Sequence, residues 1–335
     1  MHADVETRVV GQDEADIRLD RWFKRHYPTL GHGRLSKLLR TGQVRVDGKR
    51  AKANQRLEAG QVVRIPPIAE DQAAPAPAPA VKTGPNVDEA LAEQLQAAVL
   101  YKDKDVIAIN KPAGLAVQGG SGTKRHVDGA LEALQFEAKE RPKLVHRLDK
   151  DTSGILLLGR NYAATRHLTE AFRAKSTLKV YWALVVGELR PVAGTIDLPI
   201  AKLPGRAGEK MAVDYDEGKR SVSEYYTVER LGTKVAWVAL SPITGRTHQL
   251  RIHMAEVGTP ILGDGKYGGP EATVQGEGVS RKLHLHARGI RLPKRGGGML
   301  EVIAPLEGHM ARAWKYFELD LSKGDDLFDP FEERR

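Results

Sequence analysis

Apolar positions along the chain switch between helical and strand periods, and the switches outline the architecture. Leu19, Trp22, Phe23 and Tyr27 fall at helical spacing, and after Pro28, Gly31 and Gly33 a second helix carries Leu35, Leu38 and Leu39 on one face until Gly42 stops it. Val44 and Val46 then alternate with polar residues up to an Asp47-Gly48 turn, and Val62, Val63 and Ile65 predict a closing strand. This helix, helix and hairpin pattern predicts a small domain over residues 17–65. From Pro66 to Pro85 the periodicity vanishes and Ala alternates with Pro, which predicts an extended, semi-rigid linker over residues 66–87. Asp88 to Val99 predicts an amphipathic helix. Strands and helices alternate from there with no further long polar gap, so residues 88–322 are expected to form one domain. Within it KVYWALVVG, residues 179–187, is apolar on both faces and predicts a central strand. The mixed-charge end, residues 323–335, reads as a mobile tail.

A chain of 335 residues has ample material for a hydrophobic core, and 41% apolar with 28% charged residues is an ordinary globular balance. No apolar run approaches the roughly 18 residues that a membrane span requires. The first segment, MHADVETRVVGQDEAD, is acidic and lacks an apolar core, so it does not read as a signal peptide, and a cytoplasmic protein is expected. The absence of cysteine excludes disulfides, thiolate nucleophiles and Cys-based zinc sites. The net charge of +9 is concentrated: Ile17 to Ile65 holds thirteen Lys/Arg against three Asp/Glu, so one segment carries the basicity. Arg34, Lys37, Arg40 and Arg45 fall on or near one exposed side of it, as expected of a surface for a polyanion.

The densest polar cluster is LVHRLDKDTSG, residues 144–154, set directly before the apolar run Ile155 to Leu158. A carboxylate entering a buried strand needs a compensating cation and hydrogen bonds, and a carboxylate so held is also what a nucleophile or base requires at neutral pH. Asp149 and Asp151 are the candidates. Spacing alone leaves open whether Asp149 does chemistry or simply pairs with Arg147 in a turn. A second cluster, residues 243–264, places a helix with Thr247 as its N-cap, Leu250, His253, Met254 and Val257 as a stripe, and Arg251 in its early turns. A guanidinium beside a buried carboxylate would keep it ionised. Tyr181 in the central strand is either a core position or an aromatic on which a base stacks. His146, His248, His253, His284 and His286 invite a metal, but no ligand spacing such as HExxH accompanies them, and no metal site is expected.

Residues 17–65 resemble the S-four type RNA-binding domain of ribosomal proteins. The rest is similar to the RluA-type pseudouridine synthases, on INKPAGLAV at 109–117, VHRLDKDTSGILLL at 145–158, KVYWALVVGEL at 179–189, PITGRTHQLRIHMAEVGTPILGDGKYG at 242–268 and LHLHA at 283–287. The GGSG at 119–122 is more similar to the C-type branch of that family than to the D-type. The resemblance implies an α+β fold, with a large, mostly antiparallel mixed sheet crossed by the active-site cleft. It implies isomerisation of uridine to pseudouridine in large-subunit ribosomal RNA or a pre-ribosomal particle, without cofactor or metal, by a protein that need be no more than a monomer. It also implies roles: Asp149 as the catalytic carboxylate, Tyr181 as the tyrosine on the uracil, Arg251 as the arginine that pairs with the aspartate, and Arg147 as a side chain that helps open or fill the RNA stack. Small-subunit or transfer RNA as substrate, and an RNA-binding assembly factor, are the alternatives.

Overall fold

The computed structural model describes residues 5–68, 88–120, 123, 125–203, 210–274 and 279–332. They fall into two units, Met1–Lys82 and Thr83–Arg335. Most of the expected linker, residues 69–87, lies outside the described residues, as do Ser121 and Gly122 of the GGSG element.

In the first unit, β1 (Glu6–Val9), α1 (Leu19–His26), α2 (His32–Arg40), β2 (Arg45–Val46), β3 (Lys49–Arg50) and β4 (Val62–Ile65) form a four-stranded sheet, in the order β1-β4-β2-β3, covered by two helices. The spacing of α1 and α2 buries Leu19, Trp22, Phe23, Leu35 and Leu39 on Val44, Val46, Leu57, Val63 and Ile65. Asp47 and Gly48 both have positive φ, 48° and 74°, the geometry of a two-residue turn matched to strand twist. The Asp47 carboxylate then accepts from the Val62 amide at 2.8 Å, fastening the hairpin to β4. The unit starts before residue 17: β1 pairs antiparallel with β4, Glu6 opposite Ile65. The signal was faint because β1 is a sheet edge of four residues whose Val9 is 62% exposed.

In the second unit α3 (Glu89–Ala97), capped by the Asp88 carboxylate on the Leu91 amide, leads into β5 (Val99–Lys102) and β6 (Val106–Lys111). Then come β7 (Lys143–Leu144), β8 (Ser153–Gly159), α4 (Tyr162–Arg173), β9 (Leu178–Val186), β10 (Ala193–Asp197), β11 (Ile200–Lys202) and β12 (Met211–Val213). They are followed by β13 (Val222–Leu231), β14 (Val235–Pro242), α5 (Gln249–Glu256), β15 (Leu285–Pro293), β16 (Met299–Ile303), α6 (Gly308–Tyr316) and α7 (Asp329–Glu332). The main sheet runs β10-β13-β14-β9-β15-β8-β6-β5, with β16 also on β15 and β7 on β8. Every pairing is antiparallel except β15 on β8, the mixed, mostly antiparallel sheet that was expected.

As its sequence predicted, β9 is central, and the period of two divides its side chains between two cores. Val180, Trp182 and Leu184 meet α6 and the chain end, while Ala183 and Val185 meet Leu250 and Met254 of α5, and Tyr181 shares that second face. Gly154 has φ +106°, and a Cβ there would stand 2.3 Å from the Ala287 carbonyl, so only glycine lets β15 close on β8 beside residues 149–152.

The segment expected to be a mobile tail is packed as far as its described residues go, to Glu332. Leu327, Phe328 and Phe331 are buried in the same core as Trp182, Trp237 and Trp314. Arg291 lies 4.3 Å over the Phe328 ring and pairs with Glu301 and Glu332. Three apolar residues at helical spacing are enough to dock this segment, although acidic neighbours mask them in composition.

Candidate active site

Residues 145–152 lead into β8, and from His146 to Leu148 their side chains point to different surroundings. His146 accepts from the Leu157 amide at 2.8 Å and stacks on Phe172, Leu148 is buried, and Arg147 between them is exposed. The next side chain, Asp149, reaches the floor of a cavity of about 560 Å³ that Arg147, Tyr181, His248 and Arg251 also line. The four residues of this unit to which the resemblance assigns roles, Asp149, Tyr181, Arg251 and Arg147, are therefore brought together, whereas Asp151, the other candidate carboxylate, does not line this cavity.

The main chain of this turn is fixed from below. Lys111, fully buried, directs its three ammonium donors at the carbonyls of Pro112, Leu115 and Lys150, at 2.9, 2.9 and 3.1 Å. Burial pushes its pKa down to about 7 against the pull of Asp151 and Asp149. The Gly114 amide donates to the same Lys150 carbonyl, so the Lys150–Asp151 peptide is held twice. Lys111 lies in the INKPAG string, where nothing in the sequence separated it from a surface lysine.

Asp149 is not salt-bridged to Arg147. Among the described residues the basic side chain nearest its carboxylate is His248, Nε2 to Oδ1 at 3.9 Å, and its side chain is 21% exposed. Tyr181 is half-buried, and burial raises its phenol pKa, with the Asp149 charge adding to the effect. The hydroxyl therefore stays protonated at neutral pH.

Arg251 pairs with a residue that the sequence did not single out. Its Nε and Nη2 donate to the two carboxylate oxygens of Asp264 at 2.8 and 2.7 Å, a two-point fork in which Arg251 is 7% and Asp264 1% exposed. Asp264 also accepts from the amides of Lys266 and Tyr267. Burial works to lower the Arg251 pKa, but Asp264, and after it Asp149, keep the guanidinium charged. The expected direct Arg251–Asp149 pair is thus replaced by an Arg251–Asp264 pair within electrostatic reach of Asp149. Gly263, at φ +79°, turns the chain to bring Asp264 to the helix.

Helix α5 starts one residue later than expected, with His248 rather than Thr247 as N-cap, and His248 is itself left-handed at φ +57°. Gln249 ties this helix start to β13 through the Val222 carbonyl and the Ser223 hydroxyl, and His253 meets the same Ser223.

Cations surround the carboxylate. Arg173, Lys175, Lys179 and Arg246 line the first cavity, while Lys150, Lys266, Arg281 and Lys282 line an adjoining one of about 450 Å³ that shares Asp149, His248 and Arg251. In the first unit Arg34, Lys37 and Arg40 are exposed on α2, opposite buried Leu35 and Leu39. Arg45 is also exposed, but donates to the Gly42 and Gly48 carbonyls of its own turn.

The remaining histidines are packing groups. His286 meets the Ser153 hydroxyl at 2.8 Å and His284 the Leu262 carbonyl at 3.1 Å, and among the described residues no group of three potential ligands is arranged for a metal. Burial pushes His284 and His286 down to about 4 and His146 to about 3. Unfolded imidazoles take up a proton near pH 6.5, so between that pH and about 4 the unfolded state binds more protons than the folded one. Stability is therefore full above pH 6.5 and falls as the pH drops, by about 3 kcal/mol at pH 4 for each of the two fully buried rings. Urea unfolding at pH 7, 5.5 and 4.5 should show this decline, with a shallower slope in His286→Gln; identical curves for the two proteins would contradict it.

Residues 105–256 match the family of RNA pseudouridylate synthases. A protein of Vibrio cholerae, "Ribosomal large subunit pseudouridine synthase C", is 36% identical over 307 residues, 91% of this chain and 94% of the relative. Its Salmonella typhimurium counterpart is 37% identical over 92% of this chain and 95% of its own. The solved structure of human RNA Pseudouridylate Synthase Domain Containing 4 superposes with a TM-score of 0.59 at 30% identity, covering 69% of this chain and 97% of that one. Among the described residues no helix is long and apolar enough to cross a membrane.

Proposed function

Because the chain belongs to the RluA-type family of RNA pseudouridine synthases, we propose that it isomerises specific uridines of large-subunit ribosomal RNA in the cytoplasm, with Asp149 as the catalytic carboxylate. The observation that carries this reading is Asp149 itself, partly open at the floor of a cavity shared with Tyr181 and rimmed by cations. The names of the bacterial relatives support the choice of RNA.

The reaction breaks the bond from uracil N1 to ribose C1′, turns the base within the pocket, and joins C5 to C1′. N1 ends protonated and the C5 proton leaves. Atoms and electrons balance within the nucleotide, so the chemistry calls for no cofactor. It calls for an ionised carboxylate, a base taken out of the stack and a closed pocket. Asp149 can attack C1′, attack the ring or take the ribose 2′ proton; all three need it charged, and the Arg251 guanidinium, itself kept charged by Asp264 and Asp149, lies within electrostatic reach of it. Tyr181 offers a ring for the extruded uracil to stack on. Arg147 enters the stack the uridine leaves, a role supported by its exposure on the cavity lining and by its holding no hydrogen bond among the described residues. The exposed cations of α2 and Arg45 provide a phosphate surface, as expected for the S-four type module.

Purified protein incubated with unmodified large-subunit RNA should form pseudouridine at a few fixed positions, equally well with EDTA present. Conversion only of transfer or small-subunit RNA would overturn the substrate assignment, and loss of turnover in EDTA would overturn the metal-free chemistry.

A further inference from the structure

His248 occupies a position that its surroundings define closely. It lies in the wall common to the two cavities beside Asp149. Its backbone is left-handed, φ +57° and ψ +18°, a conformation that costs most side chains steric strain and tends to be kept where function needs it. One ring nitrogen, Nδ1, is 2.6 Å from the Tyr267 hydroxyl, and the other, Nε2, is 3.9 Å from Asp149 Oδ1.

The Tyr267 hydroxyl accepts from the Met211 amide at 3.4 Å and has one proton of its own, which it can donate to His248 Nδ1 at 2.6 Å. With Nδ1 accepting, a neutral imidazole carries its proton on Nε2, the atom that faces Asp149. Burial keeps the ring neutral, pushing its pKa below the usual histidine range; Arg251 and Lys266 act in the same direction, Asp149 and Asp264 in the other. Burial also raises the Tyr267 phenol, so this donor keeps its proton.

We propose that His248 is a positioning residue of the isomerisation: a neutral imidazole, its tautomer set by Tyr267, whose Nε2–H orients the Asp149 carboxylate. The proposal rests on Asp149 being the reacting carboxylate. The 3.9 Å separation tightens to a hydrogen bond once RNA fills the cavity, as catalytic contacts commonly do on substrate binding.

Two isosteres separate this role from a structural one. Glutamine places an N–H donor near the Nε2 position, whereas asparagine places one near Nδ1 and also tolerates the left-handed backbone. In single turnover on unmodified large-subunit RNA, His248→Ala should react ~100-fold more slowly with KM unchanged. His248→Gln should recover most of the rate, and His248→Asn should stay as slow as alanine. Rescue by asparagine instead of glutamine, or a loss confined to KM, would overturn the proposal. Independently of any RNA, nitrogen-15 NMR of the histidine rings, assigned against His248→Gln, should show His248 protonated on Nε2 at neutral pH, a preference lost in Tyr267→Phe. An Nδ1–H ring would overturn the proposal whatever the enzyme acts on. A wild-type protein silent on this RNA but showing the Nε2–H ring would instead count against the substrate assignment alone.

Discussion

Asp149→Asn is expected to lower the single-turnover rate by at least ~10⁴-fold, the scale seen when a reacting group is removed from an intact site, while leaving the fold and RNA affinity in place. The carboxylate makes no hydrogen bond to another described residue, and among the described residues its contact with a basic side chain is the 3.9 Å approach of His248. Asparagine has the same shape and leaves no buried charge unpaired. The turn that carries it is fixed through the Lys150 carbonyl by Lys111 and Gly114, which the substitution does not touch. Taking one negative charge from among Arg173, Lys179, Arg246 and Lys150 leaves binding to a polyanion equal or tighter. Filter binding alongside single-turnover kinetics checks both halves. A variant within tenfold of the wild-type rate would remove Asp149 from the chemistry, and one that melts far below wild type would show that the residue serves the fold.

Asp264→Asn should act through stability and catalysis together. It leaves the Arg251 guanidinium buried without its fork partner, and breaking a buried pair on one side costs about 3–5 kcal/mol. For a domain of this size that is a drop of about 10 °C in melting temperature. The double variant Arg251→Met with Asp264→Asn removes both charges and should regain much of the lost stability. It should not regain turnover, since the guanidinium within electrostatic reach of Asp149 is gone. Melting curves and rates on the same samples separate the outcomes: stability without activity supports the electrostatic role of Arg251, whereas full activity in the double variant would reduce the pair to scaffolding.

Short-range order was legible in the sequence. The two faces of β9, the Asp47-Gly48 turn and the two-helix pattern of the first unit are set by residues a few positions apart, and periodicity reads such separations directly. Asp149 and Asp151 stood out as candidates because a carboxylate at the mouth of a buried strand requires compensation, and only the family resemblance singled out Asp149. What escaped depends on contacts across the chain. Arg251 finds Asp264 only after α5 ends and Gly263 turns back, and Lys111 finds the Lys150 carbonyl across 39 positions. His248 was visible as a residue type but not as an N-cap in a left-handed conformation, because Thr247 is the better cap by propensity, and tertiary fastening of Gln249 to β13 moves the helix start. At the chain end, composition outweighed pattern: Leu327, Phe328 and Phe331 sit at a docking helix's spacing among acidic residues.

The most direct measurement is a pseudouridine map of ribosomal and transfer RNA from cells lacking this gene, complemented with either the wild-type protein or Asp149→Ala. Specific large-subunit uridines should lose modification in the deletion strain and regain it with the wild-type protein alone. Restoration by Asp149→Ala, or a map that the deletion leaves unchanged, would contradict Asp149-dependent isomerisation of that RNA by this chain.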